Sequence, residues 1–168
     1  MRKVLYVLGE LVETDIDWLI RNGQKLTLQP GVALITAGHQ VDTMSMVISG
    51  ELSVRLGRKE LARLGSGEIV GEMSFLDKRP PQTDVVAEEE TLVLGLDHEV
   101  MREKLAEDDA FGKRFYLALG IFLAQRLRNS MQGGSGDADP DEDSDNLDNL
   151  ELAGARFDYL MKRVKNKR

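Results

Sequence analysis

The sequence predicts a mainly β chain with flanking helices, its strands arranged as an antiparallel sandwich or barrel. Three observations lead there. Between Gln24 and Asp97, short runs rich in Val, Leu and Ile are punctuated by Gly31, Gly38, Gly50, Gly57, Gly65, Gly67 and Gly71. After Asp97 the apolar spacing lengthens from two residues to three or four, the helical period. At 168 residues and 42% hydrophobic, the chain can build a real core. With only 5% aromatic residues, that core must be mostly Leu, Val, Ile, Met and Ala.

The elements follow in order. Arg2 and Lys3 precede Val4–Leu8, an apolar run too short for a signal-peptide core, and Glu10 and Glu13 come next. Residues 14–22 read as a short helix capped by Thr14 or Asp15, with Ile16, Leu19 and Ile20 on one face. Strands are expected at Lys25–Leu28, Val32–Thr36, Ser45–Ser49, Leu52–Leu56, Lys59–Leu64, Val85–Ala87 and Thr91–Leu96. Asp97 can cap a helix over His98–Ala106. Asp108 or Asp109 can cap a longer one over Ala110–Met131. Phe111, Phe115, Leu119, Phe122 and Leu123 line one side of the longer helix, and Tyr116, Ile121 and Leu127 widen the stripe. That is more apolar surface than an exposed helix carries, so it must pack on the barrel, a partner, or both.

Residues 132–146 hold six acids and no base and open with Gln-Gly-Gly-Ser-Gly, so they read as a flexible linker. Residues 147–168 hold six bases and three acids, with Leu147, Leu150, Phe157, Leu160, Met161 and Val164 at helical spacing. Of the net charge of −7, this leaves −4 on residues 1–131, which gives them no general affinity for nucleic acid. The expected organisation is a domain over 1–131, with its barrel at 24–97 and helices at 98–131. The linker and a C-terminal amphipathic helix with a basic tail follow. The absence of Cys excludes a disulfide framework and thiolate metal sites. No stretch approaches the ~20 apolar residues of a membrane span, and a cytoplasmic location is expected.

The segment Gly71-Glu72-Met73-Ser74-Phe75-Leu76-Asp77 is the most informative. A small cyclic phosphate needs backbone N–H groups aimed at its oxygens, as where a short helix begins. It needs a glycine where the ligand meets backbone, an acceptor for a ribose hydroxyl, and a cation. Gly71, Glu72 and the N–H groups of Met73 and Ser74 suit all but the last.

Three separately placed motifs agree in order and spacing. They are Pro30-Gly31-x-x-Leu34-Ile35-x-x-Gly38, Met46-Val47-Ile48-x-Gly50-Glu51-Leu52, and Gly67-x-x-x-Gly71-Glu72-Met73-Ser74. Over about residues 10–130 the chain resembles the cyclic nucleotide-binding domain family. That family includes the regulatory subunits of cyclic-AMP-dependent kinase, the bacterial catabolite activator and the cyclic-nucleotide-gated channels. The resemblance implies a jelly roll (a double-stranded β-helix) with flanking helices, residues 110–131 serving as lid or dimer helix. It also implies a stand-alone, non-enzymatic regulatory module with no cofactor and no metal. The DNA-binding domain that follows this barrel in the family's transcription factors is absent from the sequence.

The family's cradle continues, ten residues after the glycine, with an Arg-(Ser/Thr/Ala)-Ala-(Thr/Ser)-Val run. Here Pro81, Gln82, Thr83, Asp84 and Val85 take those places. Pro81 supplies neither charge nor N–H, and Asp84 adds a negative charge where an anion would sit. Loss of one charge-assisted bond, ~1.5–3 kcal/mol, predicts cyclic AMP or cyclic GMP binding weakened at least ~10-fold, or a different small ligand. Lys78 and Arg79 are the nearby cations that might substitute. The candidate ligand residues are thus Gly71, Glu72, Met73, Ser74, Gln82 and Thr83.

Other patterns read as structural. Asp137 to Asp148 spaces carboxylates like a calcium loop, but Glu142 stands where a sharp turn needs Gly, and Pro140 interrupts it. His39 and His98 are too isolated for a zinc site. Trp18, Met44, Met46 and Met73 fall in apolar patterns typical of core. The alternative function is a ligand-independent scaffold that binds a protein partner or a second copy through 110–131 and the C-terminal helix. A DNA-binding regulator, suggested by the basic tail, is the weaker alternative.

Overall fold

The computed structural model describes residues 5–131 and 147–167. Eight strands form two antiparallel four-stranded sheets. The first orders β1 (Gln24–Leu28), β8 (Thr91–Asp97), β3 (Thr43–Ser49) and β6 (Ile69–Val70). The second orders β2 (Ala33–Ile35), β7 (Asp84–Ala87), β4 (Leu52–Leu56) and β5 (Lys59–Leu64). Their facing surfaces enclose a core of Leu28, Val47, Val70 and Val93 from one sheet and Ile35, Leu52, Leu64, Val85 and Ala87 from the other. This is the antiparallel barrel with flanking helices that the alternation predicts.

The two-residue period of a strand gives the first sheet a second apolar face. Val47 and Val93 point into the barrel, while Met44, Met46, Ile48, Leu94 and Leu96 point to a layer of helices. That layer holds α1 (Leu5–Glu10), α2 (Glu13–Asn22), α4 (His98–Glu107), α5 (Asp109–Met131) and α6 (Leu147–Lys165); α3 (Glu72–Asp77) interrupts the barrel after β6. α5 lays Phe111, Phe115, Ala118, Leu119 and Phe122 into this second core, each under 5% exposed. Burying a Phe or Leu contributes roughly 1.5–3 kcal/mol, so this stripe alone holds α5 on the domain. Phe111 stacks on Phe115 at 5.8 Å, and Phe75 of α3 meets Phe115 edge-on at 6.0 Å.

Asp97 caps α4, accepting from Glu99 N at 2.8 Å and Val100 N at 3.2 Å, and Asp108 caps α5 through Phe111 N at 2.9 Å. The cap of α2 differs from expectation. Val12 is the capping residue, and Asp15 reaches back from the third helical position to accept from Val12 N at 3.0 Å.

Two short elements, α1 and β6, were not anticipated. The expectation for the C-terminal helix needs correction. Its stripe of Ala153, Leu160 and Val164 is buried against the chain's own α1 and α2, not left for a partner. Lys167 Nζ donates to the carbonyls of Ile20, Arg21 and Gly23 at the C-terminus of α2, and Lys25 Nζ donates to those of Lys165 and Lys167. These reciprocal cation caps suit both helix dipoles and make α6 part of the same body. The acidic segment 132–146 lies outside the described residues. No helix among the described residues is long and apolar enough to cross a membrane.

Candidate functional site

The turn from β6 into α3 sets the site. Gly71 sits at φ 84°, ψ 0°, and a Cβ there would run into the Thr43 carbonyl oxygen of β3. Only glycine fits on both counts. Its role is therefore fixed by backbone packing, whether or not a ligand is present. α3 then starts at Glu72, with Phe75 N returning to Gly71 O at 3.1 Å.

A cavity of about 120 Å³ opens beside α3. Ile35, Val54, Leu64, Val70 and Val85 give it apolar walls from both sheets. Gly71, Glu72, Met73 and Ser74 form one side, Pro81 and Thr83 another, and Arg126 of α5 closes it. Larger clefts of about 460, 580 and 620 Å³ lie elsewhere on the surface. Of the expected candidates they include only Ser74, Lys78 and Arg79. The small cavity is the candidate site because the Gly71–Ser74 turn, a buried acid and a base converge on it.

Glu72 is the acid, with 2% of its surface exposed. Burial pushes its carboxyl above the ordinary carboxylate range, and the Arg126 guanidinium pulls it back. Arg126 Nη1 donates to Glu72 Oε1 at 2.5 Å and its Nη2 to Ile69 O at 3.1 Å. Its guanidinium also lies 4.7 Å from the Phe122 ring centroid. The pair thus ties α5 to the turn that starts α3.

The remaining expected residues divide. Met73 and Thr83 line the cavity. Ser74 lines it as well, but its hydroxyl is committed, donating to Arg79 O at 2.8 Å. Gln82 is exposed and does not line the cavity, although Pro81 and Thr83 on either side of it do.

Alternation along β7 corrects the reading of Asp84, since Val85 lines the cavity and Asp84 does not. It faces away from the cavity, where its Oδ1 accepts from Ala37 N at 2.8 Å, so it sets no negative charge against a ligand. Pro81 O accepts from Gly38 N at 2.8 Å. The Asp84 carboxylate and the Pro81 backbone carbonyl therefore both close the turn after β2. Lys78 and Arg79 are also corrected. Lys78, at φ 58°, ends α3, and with Arg79 it turns into a separate groove shared with His98 and Arg102. Neither cation reaches the cradle.

Arg126 is the residue that sequence reasoning missed. Its signal was present: it follows Phe122 by four residues, continuing the Phe111–Phe115–Leu119–Phe122 stripe toward the barrel. A base on a buried stripe calls for a buried acid.

A further feature lies on the far side of Gly71. His98 is 3% exposed, its Nε2 has no partner, and its ring packs edge-on to Phe75 at 5.2 Å. Burial and the nearby Arg102 charge lower its basicity, against smaller opposing effects from Asp42, the Gly71 backbone and Asp97.

Comparison with known proteins places this geometry. The chain is 29% identical over 73 residues to a cGMP-dependent protein kinase of Toxoplasma gondii, a match covering 44% of this chain and 7% of the kinase. The chain therefore spans only a small part of that relative. Among solved structures it superposes on a cyclic nucleotide-binding domain from Methylobacillus flagellatus KT with TM-score 0.69 and 22% identity, covering 82% of this chain and 85% of that one. It superposes on the Thermus thermophilus catabolite activator protein with TM-score 0.62 and 23% identity, covering 95% and 84%. At those identities the two structures share the fold. The family model for the cyclic nucleotide-binding domain matches residues 25–108, half of the chain, from the first strand through the helix after the last. With that match and the barrel and Gly71–Glu72 turn in place, the chain belongs to the cyclic nucleotide-binding domain family.

Proposed function

We propose that this chain is a regulatory domain that takes a cyclic nucleotide weakly, or a related small organic phosphate, in the cavity beside α3. One observation supports this reading above the others. The only basic side chain lining that cavity, among the described residues, comes from the lid helix and is paired to the buried Glu72. Occupancy of the cradle and the position of α5 then depend on the same two side chains, as a sensor requires. Pro81 contributes no charge, so affinity falls below that of a cradle with an arginine in its place. Calorimetric titration of the purified chain with cyclic AMP and cyclic GMP, to millimolar nucleotide, tests this. Saturable heat is expected. Its absence, together with an unshifted melting temperature, would sink the proposal.

A second reading, self-association as a homodimer or docking on a protein partner, is favoured by the outer face of α5. Leu117, Gly120, Ala124, Leu127 and Met131 recur there at alternating spacings of three and four, all exposed. Phe122 does not belong to that face, being buried in the chain's own core. Sedimentation of Leu127→Asp against the parent chain tests the homodimer: a dimer in the parent and a monomer in the variant support it, and a monomeric parent rejects self-association.

A further inference from the structure

We propose that Arg126 is the anion-binding residue of the cradle, and that a ligand's phosphate binds by taking the Arg126 guanidinium over from Glu72. This rests on the functional reading above and supplies what that reading lacks, a cation.

The lining of the cavity leaves no other choice. Among the described residues, its only charged side chains are Glu72 and Arg126; the walls are Ile35, Val54, Leu64, Val70 and Val85. An anion moved from water into such walls without a cation is strongly disfavoured. Lys78 and Arg79 turn into a different groove, and Pro81 brings no charge.

The geometry also gives an order of events. The Glu72 side chain is 3% exposed and that of Arg126 is 34% exposed. The acid is therefore at the floor of the site and the base at its mouth, where an incoming phosphate meets it first. A guanidinium carries five donors in a rigid fork suited to phosphate oxygens. Two of its nitrogens, Nη1 and Nη2, are used here, on Glu72 and on the Ile69 carbonyl.

With Arg126 in place, the cavity is about 120 Å³, well under the roughly 300 Å³ at which ligand pockets begin. A nucleotide cannot enter while the guanidinium stays on Glu72, so binding must break that pair and release this end of α5. Glu72 is freed in the same step, and its carboxylate is then available to accept a ribose hydroxyl. The ligand class is a compact organic monophosphate bearing a neighbouring hydroxyl.

The test compares the whole chain with Arg126→Gln, Arg126→Lys and Glu72→Gln, each titrated calorimetrically with cyclic AMP and cyclic GMP and checked for folding by circular dichroism. Loss of one charge-assisted contact should weaken binding by Arg126→Gln roughly 10- to 100-fold. Arg126→Lys should retain part of the affinity, since the charge survives without the fork. Glu72→Gln should bind several-fold tighter than the parent, because the competitor for the guanidinium is gone while an acceptor oxygen remains. Arg126→Gln binding as tightly as the parent, or more tightly, overturns this assignment alone and makes Arg126 a plug. Silence from all four folded proteins overturns the functional reading, and this inference with it.

Discussion

The two ends of α5 are held by the same chemistry used differently. Near its start, Arg114 grips Asp15 of α2 through two parallel contacts, Nε to Oδ2 at 2.7 Å and Nη2 to Oδ1 at 2.8 Å. Asp15 is 3% exposed and also caps α2. Near its end, Arg126 makes one contact to Glu72 and one to a backbone carbonyl, at the mouth of a cavity. The first pair is two-pronged and shared with a cap. The second is single and adjoins space that a ligand can take. The difference shows which end of the helix is anchored and which can be moved.

That contrast can be broken by substitution, most severely at the anchored end. Asp15→Ala removes both the pair and the cap of α2 and leaves Arg114, 30% exposed, only the weaker attraction of Asp108. A loss of about 2–4 kcal/mol in urea unfolding is expected. A loss under about 1 kcal/mol would show that the Asp15 end is no anchor.

Gly71→Ala comes next. It must hold a left-handed conformation and displace the Thr43 carbonyl, so about 1–3 kcal/mol should be lost. A neutral effect would mean that the turn relaxes freely and that glycine there serves a ligand instead.

Arg126→Gln should cost a similar amount at neutral pH, about 1–3 kcal/mol, because the buried Glu72 must then stay charged without its partner or take up a proton. The sign follows from burial. Glu72 already titrates above its ordinary 4.5, and removing Arg126 raises it further. The folded variant then binds more protons than the unfolded chain between about pH 4.5 and its own raised value. Its stability falls as pH rises through that window. The charged group acting on Glu72 is Arg126. Urea melts at pH 5 and pH 7.5 should therefore show the deficit of the variant widening with pH. A pH-independent deficit contradicts the account.

The smallest change in stability, and the sharpest in binding, is expected at Pro81. Pro81→Arg points a cation into the cavity and should strengthen cyclic nucleotide binding about 10-fold. Asp84→Thr should add nothing to affinity and cost about 1 kcal/mol, because Asp84 faces the turn at Ala37. Tighter binding from Asp84→Thr alone would mean that the carboxylate does act on the ligand.

Much of this was legible in the chain. Glycine punctuation and alternation placed seven of the strands, because each has enough residues to show a period. β6, with two residues, cannot show one. The apolar run at Val4–Leu8 was weighed only as a targeting signal, and the short α1 that overlaps it escaped notice. In the cradle, the Gly71–Glu72 half was readable because it is local. The second half was misjudged in two ways. Asp84 was counted as a ligand neighbour although strand alternation, already in use for the barrel, turns it outward. The missing cation was sought within a few residues of Pro81, whereas a fold can deliver it from 45 positions away. Arg126 and Arg114 both sit on the buried side of α5, a pattern visible in the sequence once such bases are treated as signals rather than exceptions.

Amide hydrogen exchange along α5 tests the central claim most directly, comparing the parent chain with Glu72→Gln. The account predicts faster exchange over residues 122–131 in the variant, with residues 111–118 as protected as in the parent. Equal loosening of both ends, or no change at either, would contradict the claim that the Glu72–Arg126 pair is the movable link between cradle and lid.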